Sequence, residues 1–175
     1  METFDFGRKK VVSVIFDLSI AHENGVRIID LIKKQLVDLV VEKDEELLFF
    51  VTSRENNFPI GCGSSIQQID SYCEPPDFSI CHAIRKAIIN NVKSVEDVDK
   101  VILLITDRFD KKYNGHYKSL LDAKKYNKYD YDICFIEVNN QSQSLKTIAE
   151  VNGGKYEAIS NTQNFLNALK KVGVA

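Results

Sequence analysis

Two rhythms alternate along the chain. Short continuous apolar runs mark strands covered on both faces, and apolar residues at intervals of three and four mark helices packed on one side. "KKVVSVIFD" (9–17) predicts a first strand that stops at Asp17. Between Gly25 and Glu42, Ile28, Ile29, Ile32, Leu36, Leu39 and Val40 recur at helical spacing and predict a long amphipathic helix. "ELLFFVTS" (46–53) predicts a second buried strand. Turn residues follow in "RENNFPIGCGSS" (54–65), and "SIQQIDSY" (65–72) alternates weakly, as an antiparallel edge strand would.

Pro75 and Pro76 interrupt the chain, and Asp77 or Ser79 is placed to cap a helix carrying Ile80, Ile84, Ala87 and Ile88 on one face. "KVILLIT" (100–106) is a continuous apolar run ending at Asp107. A polar segment with a helix from about 116 to 126 leads to the buried run "YDICFIEV" (131–138). A helix over 144–152 is stopped by Gly153 and Gly154. "KYEAIS" (155–160) predicts a short last strand, and a final helix starts near an Asn161 or Thr162 cap and carries Phe165, Leu166, Leu169 and Val172. Six strands alternating with about five helices predict an α/β fold. It is an open, mostly parallel, Rossmann-like six-stranded sheet with helices on both faces and one antiparallel edge strand.

Composition narrows this picture. The 175 residues suit one domain over 1–175, and no internal repeat or low-complexity segment divides them. The formal net charge of −2 supplies no basic field, which argues against nucleic acid or an anionic membrane as the main partner. The cysteines at 62, 73, 81 and 134 form no C-x-x-C pair, and only three histidines accompany them, so a structural zinc site is not expected. "METFDFGRKK" has no apolar signal core, so the expected setting is intracellular, cytoplasmic or nuclear, with reduced thiols.

Ligands of such sheets bind beyond the carboxyl ends of the strands, where the strand order reverses. Asp17 and Asp107 each end a buried strand, and Ser19 follows Asp17 by two residues. If the two strands are neighbours, both carboxylates come to one end of the sheet, and the "YCEPPDFS" loop can bring Asp77 and Ser79 to the same rim. Aspartate at a strand end also serves plain turn and cap chemistry, and one such residue alone carries no function. The pair leaves open a metal site, a catalytic site or a turn.

Four stretches in order resemble the von Willebrand factor A-type (vWA) domain. "VSVIFDLSIA" is similar to the family's first strand with its D-x-S-x-S motif, and "VILLITD" to its fourth strand with a trailing T-D. "FSICHAIRKAI" resembles the helix after the family's metal-binding threonine loop. "LKTIAEVNGGKYEAISNTQNFLNALKKV" resembles its C-terminal helix, Gly-Gly, strand and helix. The resemblance implies a metal-ion-dependent adhesion site in which hydroxyls and water-bridged aspartates hold Mg²⁺ and a partner's carboxylate fills the open position. Asp17, Ser19 and Asp107 match the pattern. The second serine falls at Ala21, the threonine falls near Phe78 between Asp77 and Ser79, and the glycine after the last aspartate is Arg108. A shell short of two hydroxyls suits Mg²⁺ poorly, so the resemblance implies a degenerate site with no resident cofactor, and Mg²⁺ at most weakly held by Asp17, Ser19 and Asp107. Arg108 is placed to pair with Asp107 or Asp17 in the metal's stead, or else to point into solvent.

The expected function is a non-catalytic protein-interaction module. Its rim consists of residues 19–25, 54–65, 74–79, 107–115 and 139–143, with Arg54, Phe58, Phe78, Arg108 and Phe109 as anchors, since aromatic and arginine side chains dominate interface energies. The alternative is a metal-dependent phosphate-processing enzyme or nucleotide binder using Asp17 and Asp107. Against it, the chain lacks a G-x-x-x-x-G-K-[ST] loop and a G-x-S-x-G elbow. Cys81 and His82, adjacent on a helix, point about 100° apart and make a poor nucleophile–base pair.

Overall fold

A computed structural model of the chain describes residues 10–18, 21–42, 47–52, 57–59, 80–93, 98–107, 130–151 and 153–174. In chain order these form β1 (Lys10–Asp17), β2 (His22–Glu23), β3 (Val26–Arg27), α1 (Ile28–Glu42), β4 (Leu47–Thr52), β5 (Asn57–Pro59) and α2 (Ile80–Ala87). A π-helical turn (Ile88–Val92) extends α2. Then come β6 (Lys100–Thr106), β7 (Asp132–Val138), α3 (Gln143–Val151), β8 (Tyr156–Ile159), a 3₁₀ turn (Thr162–Asn164) and α4 (Phe165–Lys171).

The continuous apolar runs lie in the middle of the sheet, as their two-sided hydrophobicity requires. The strand order is β5-β4-β1-β6-β7-β8. Strands β4, β1, β6, β7 and β8 are mutually parallel, and β5 pairs antiparallel with β4. From Val11 to Asp17 every residue of β1 is buried. Alternate residues serve opposite faces. On one face Val12, Val14 and Phe16 pack in a cluster with Ile28, Ile32 and Leu36 of α1 and Phe165 and Leu169 of α4. On the other, Ile15, Ile102, Leu104 and Phe135 cluster with Ile84 and Ala87 of α2 and Leu145 and Ala149 of α3. Each fully buried side chain of this size contributes about 2 kcal/mol by leaving water.

Two local features differ from the pattern. The helix read from Gly25 starts at Ile28, because Asn24 and Gly25 take positive φ (51° and 79°) and close a two-residue hairpin between β2 and β3. An Asn-Gly pair suits that turn, and it overrides the helical spacing that begins just beyond. The antiparallel edge is formed by Asn57–Pro59, inside the stretch read as turn residues. Three residues are too few for alternation to register, and Pro59, which has no N–H, is suited to an edge. The segment 65–72 and the helix expected over 116–126 lie outside the described residues.

Two connections hold the sheet to its helices. The wide π turn carries Asn91 into the interior, where its amide donates to Ser13 Oγ at 2.7 Å. Between α3 and β8 the chain passes so near β7 that a Cβ on Gly154 would stand 1.8 Å from the Ile133 carbonyl oxygen. No helix of the described residues is long and apolar enough to cross a membrane.

Candidate functional site

Sequential connections leave β1 toward β4 on one side, and the later strands β6, β7 and β8 extend the sheet on the other. The strand order therefore reverses between β1 and β6, and the carboxyl ends of these two strands form the switch point of the sheet. Asp17 and Thr106 are register partners there. Asp17 is 3% exposed and Thr106 is fully buried. The Thr106 hydroxyl donates to Asp17 Oδ2 at 3.1 Å, and the Asp107 N–H reaches the Asp17 carbonyl at 3.4 Å. Asp17 and Asp107 thus stand at the same end of neighbouring strands, as the pattern predicted. The threonine before Asp107 is one partner of the Asp17 carboxylate.

One strand further, Thr106 is in register with Glu137 of β7. Strand alternation puts Asp17, Thr106 and Glu137 on one face, the face covered by α2 and α3. Glu137 is fully buried. Its Oε1 accepts the Ser142 hydroxyl at 2.7 Å. Its Oε2 accepts the Ser142 N–H at 2.8 Å and the Tyr156 hydroxyl at 2.7 Å. Burial pushes the Tyr156 phenol well above its ordinary value, and the neighbouring Glu137 carboxylate pushes it further. This cluster fixes the chain that leaves β7, where Asn139 takes a positive φ of 57°, and sets the start of α3.

The hairpin that follows the Asp17 segment is held on both strands. Glu23 of β2 accepts the Thr162 N–H at 2.9 Å and the Thr162 hydroxyl at 3.1 Å. Arg27 of β3 donates to both oxygens of Asp30, at 2.8 and 3.0 Å, and holds that carboxyl below its ordinary range. The 3₁₀ turn before α4 is therefore capped by Glu23 from a distant part of the chain. The expected Asn161 cap makes no side-chain cap bond, and its Oδ1 is buried without a partner among the described residues.

Of the residues singled out in the sequence, Asp17 and Asp107 are brought together. Phe58 lies on the edge strand β5, its main chain opposite Val51, one pair in from the end of the ladder at Thr52 and Asn57. Ser19, Arg54, Asp77, Phe78, Ser79, Arg108 and Phe109 lie outside the described residues. Ala21, the position of the second serine in the resembled motif, is partly buried against the apolar cluster of the α1 face. A separate cavity of about 690 Å³ opens at the opposite, amino-terminal end of the strands, among Lys10, Lys100, Asp132 and Lys155, and shares no residue with this site.

No family model and no curated protein matches the sequence. Solved structures do match. A von Willebrand factor type A structure from Catenulispora acidiphila superposes on 95% of this chain with a TM-score of 0.63 at 10% identity. The chain has a vWA fold. Proximal thread matrix protein 1 from the mussel byssus, with a zinc-occupied MIDAS motif, matches 97% of the chain with a TM-score of 0.57 at 17% identity. This chain spans only 42% of the bacterial chain and 46% of the mussel chain. The SpRpn10 VWA domain is matched over 98% of its own length and 96% of this one, with a TM-score of 0.61 at 10% identity. At these identities the likeness is one of fold.

The vWA fold implies a cation beside Asp17. Mg²⁺ demands a near-octahedral set of oxygens. The described residues offer the Asp17 and Asp107 carboxylates. The Thr106 hydroxyl donates its proton to Asp17, and Ala21 brings no hydroxyl. Among the described residues no group of three or more His, Cys, Asp and Glu side chains converges on a metal position. By themselves these residues do not fit a Mg²⁺ shell.

Proposed function

We propose that this vWA-fold chain is a non-catalytic protein-interaction module that binds a partner protein through the rim at the carboxyl ends of its strands, with a degenerate metal site. One observation carries the reading. Asp17 stands at the switch point with its carboxylate engaged by Thr106, while Ala21 lies half-buried against the core where a complete motif has a hydroxyl. The outline of a ligand-facing site is kept and part of its ligand chemistry is not. A chain of similar fold, the mussel thread matrix protein, holds zinc in a MIDAS motif, which supports a site of metal-binding descent here. The domain then works inside the cell, where thiols stay reduced, and the buried Cys134 thiol donates to the Val172 carbonyl.

The test is an affinity pull-down from native extract with wild type, Asp17→Asn and Asp107→Ala, run beside an assay for phosphate-ester turnover with Mg²⁺ and Mn²⁺. The expected result is one defined protein recovered by wild type and lost with both variants, and no turnover. Equal recovery by all three proteins would remove the rim from the account. Turnover that disappears in Asp17→Asn would replace it with the enzyme reading.

A further inference from the structure

The sheet has two edges, and they are built differently. At one, β5 has three residues and includes Pro59, which has no N–H to offer a further strand. At the other, β8 carries no proline. Its inner side is engaged by β7: the Phe135 N–H donates to the Lys155 carbonyl at 2.9 Å, and the Asn139 N–H donates to the Ile159 carbonyl at 2.8 Å. In a parallel ladder the bonds go to alternate residues. Lys155, Glu157 and Ile159 therefore face β7, and the main chains of Tyr156 and Ala158 face outward. The one acidic side chain of β8, Glu157, does not guard this edge, because Lys171 of α4 pairs with it.

A groove of about 260 Å³ runs beside this edge, between β8 and α4. Ala158 and Ser160 line its strand side. Asn164, Asn167 and Lys171, spaced three and four apart, line its helix side as one stripe. Both asparagines are exposed. A carboxamide donates and accepts, so it can bond the main chain or polar side chains of a neighbouring strand.

We propose that the outer edge of β8, which no other strand of the described residues covers, and the groove beside it dock an extended, uncharged polar segment of a partner polypeptide, rich in Ser, Thr, Asn or Gln, as an added strand. Outward N–H and C=O groups give affinity in this mode, and the flanking groove reads alternate side chains. Ile159 and Ala168 line the groove but are buried, and the groups left to a ligand are mainly amide, hydroxyl and a self-neutralised Glu157–Lys171 pair, so it suits neither an apolar helix nor a charged peptide. A second copy is disfavoured by size. Four residues make an edge about 13 Å long, so two copies paired through this edge alone would bury well below the roughly 1,200 Å² that a stable interface needs. The groove lies along the side of the sheet, so the proposal stands apart from the rim reading.

The probe is a phage-displayed library of short linear peptides selected on the wild-type protein, with the enriched peptide then synthesised and titrated. Ala158→Pro removes one outward N–H at an edge position that tolerates proline, and Ala158→Gly keeps it. The expected outcome is binding weakened about tenfold by Ala158→Pro and retained by Ala158→Gly, with bound peptide slowing amide exchange at Tyr156 and Ala158. A library that yields no binder, or binders that ignore Ala158→Pro and leave those amides unprotected, would overturn the proposal. Should Ala158→Pro lose its fold, amide exchange on the wild type decides alone.

Discussion

Two buried acids stand two strands apart on the same face of the sheet, and they are held differently. Glu137 receives both of its Ser142 donors and the Tyr156 hydroxyl from residues within nineteen positions of itself. Asp17 receives the Thr106 hydroxyl from a neighbouring strand, eighty-nine positions away. Glu137 is a structural anchor that fixes how the chain turns from β7 into α3. Asp17 ends the central strand at the point where the sheet offers a ligand its access. A buried carboxylate thus does not announce a function by being buried: Glu137 sits in a local hydrogen-bond cluster, and Asp17 sits at the switch point of the sheet.

Breaking Glu137 should have the largest effect. In Glu137→Ala the Ser142 and Tyr156 hydroxyls lose their acceptor and the Ser142 N–H keeps only the Tyr156 hydroxyl oxygen, at 3.2 Å, and urea unfolding should show a loss of about 3 kcal/mol. A loss below about 1 kcal/mol would mean that water replaces the carboxylate and that Glu137 anchors nothing. Tyr156→Phe removes a single donor and should cost about 1 kcal/mol near neutral pH. It also carries a pH signature. The folded phenol is raised above its ordinary value, so its contribution is intact below that value and is lost as pH climbs toward the raised one. Wild type should therefore lose more stability than Tyr156→Phe between pH 8 and pH 11, and parallel curves would contradict the Glu137–Tyr156 bond.

Asp17→Asn should have the smallest effect on stability, within about 1 kcal/mol, because the amide oxygen still accepts the Thr106 hydroxyl. Calorimetric titration of the wild type with Mg²⁺ and Mn²⁺ should show no saturable site at millimolar concentration. A one-to-one isotherm that vanishes in Asp17→Asn would make Asp17 a metal ligand and redraw the contrast with Glu137.

The same contrast explains what could be read in the amino acids alone. Asp17 and Asp107 were visible because each halts an apolar run, and the parallel pairing of those runs follows from their two-sided hydrophobicity. Thr106 was on view in the T-D pair, but its bond to Asp17 depends on a register that no local pattern specifies. Glu137 was hidden inside "CFIEV", where the strand continues past it and its donors come from a loop and from β8. The lone acid in an apolar strand was the available signal. The Asn24-Gly25 hairpin was also signalled locally, and the helical spacing that follows masked it.

The grip of Glu23 on Thr162 spans 139 positions, and the bond from Lys10 to the Gly173 carbonyl spans 163. Closing such long loops is entropically slow, so these bonds form after the local elements. On the ribosome, β1 emerges first and waits for β4 and β6 to flank it. The hairpin beside Asp17 gains its anchor only once the start of α4 has left the exit tunnel. The hairpin that follows Asp17 is thus braced late, ahead of the Lys10–Gly173 bond at the opposite end of the sheet, and a nascent chain halted before Thr162 would carry its aspartates without that brace.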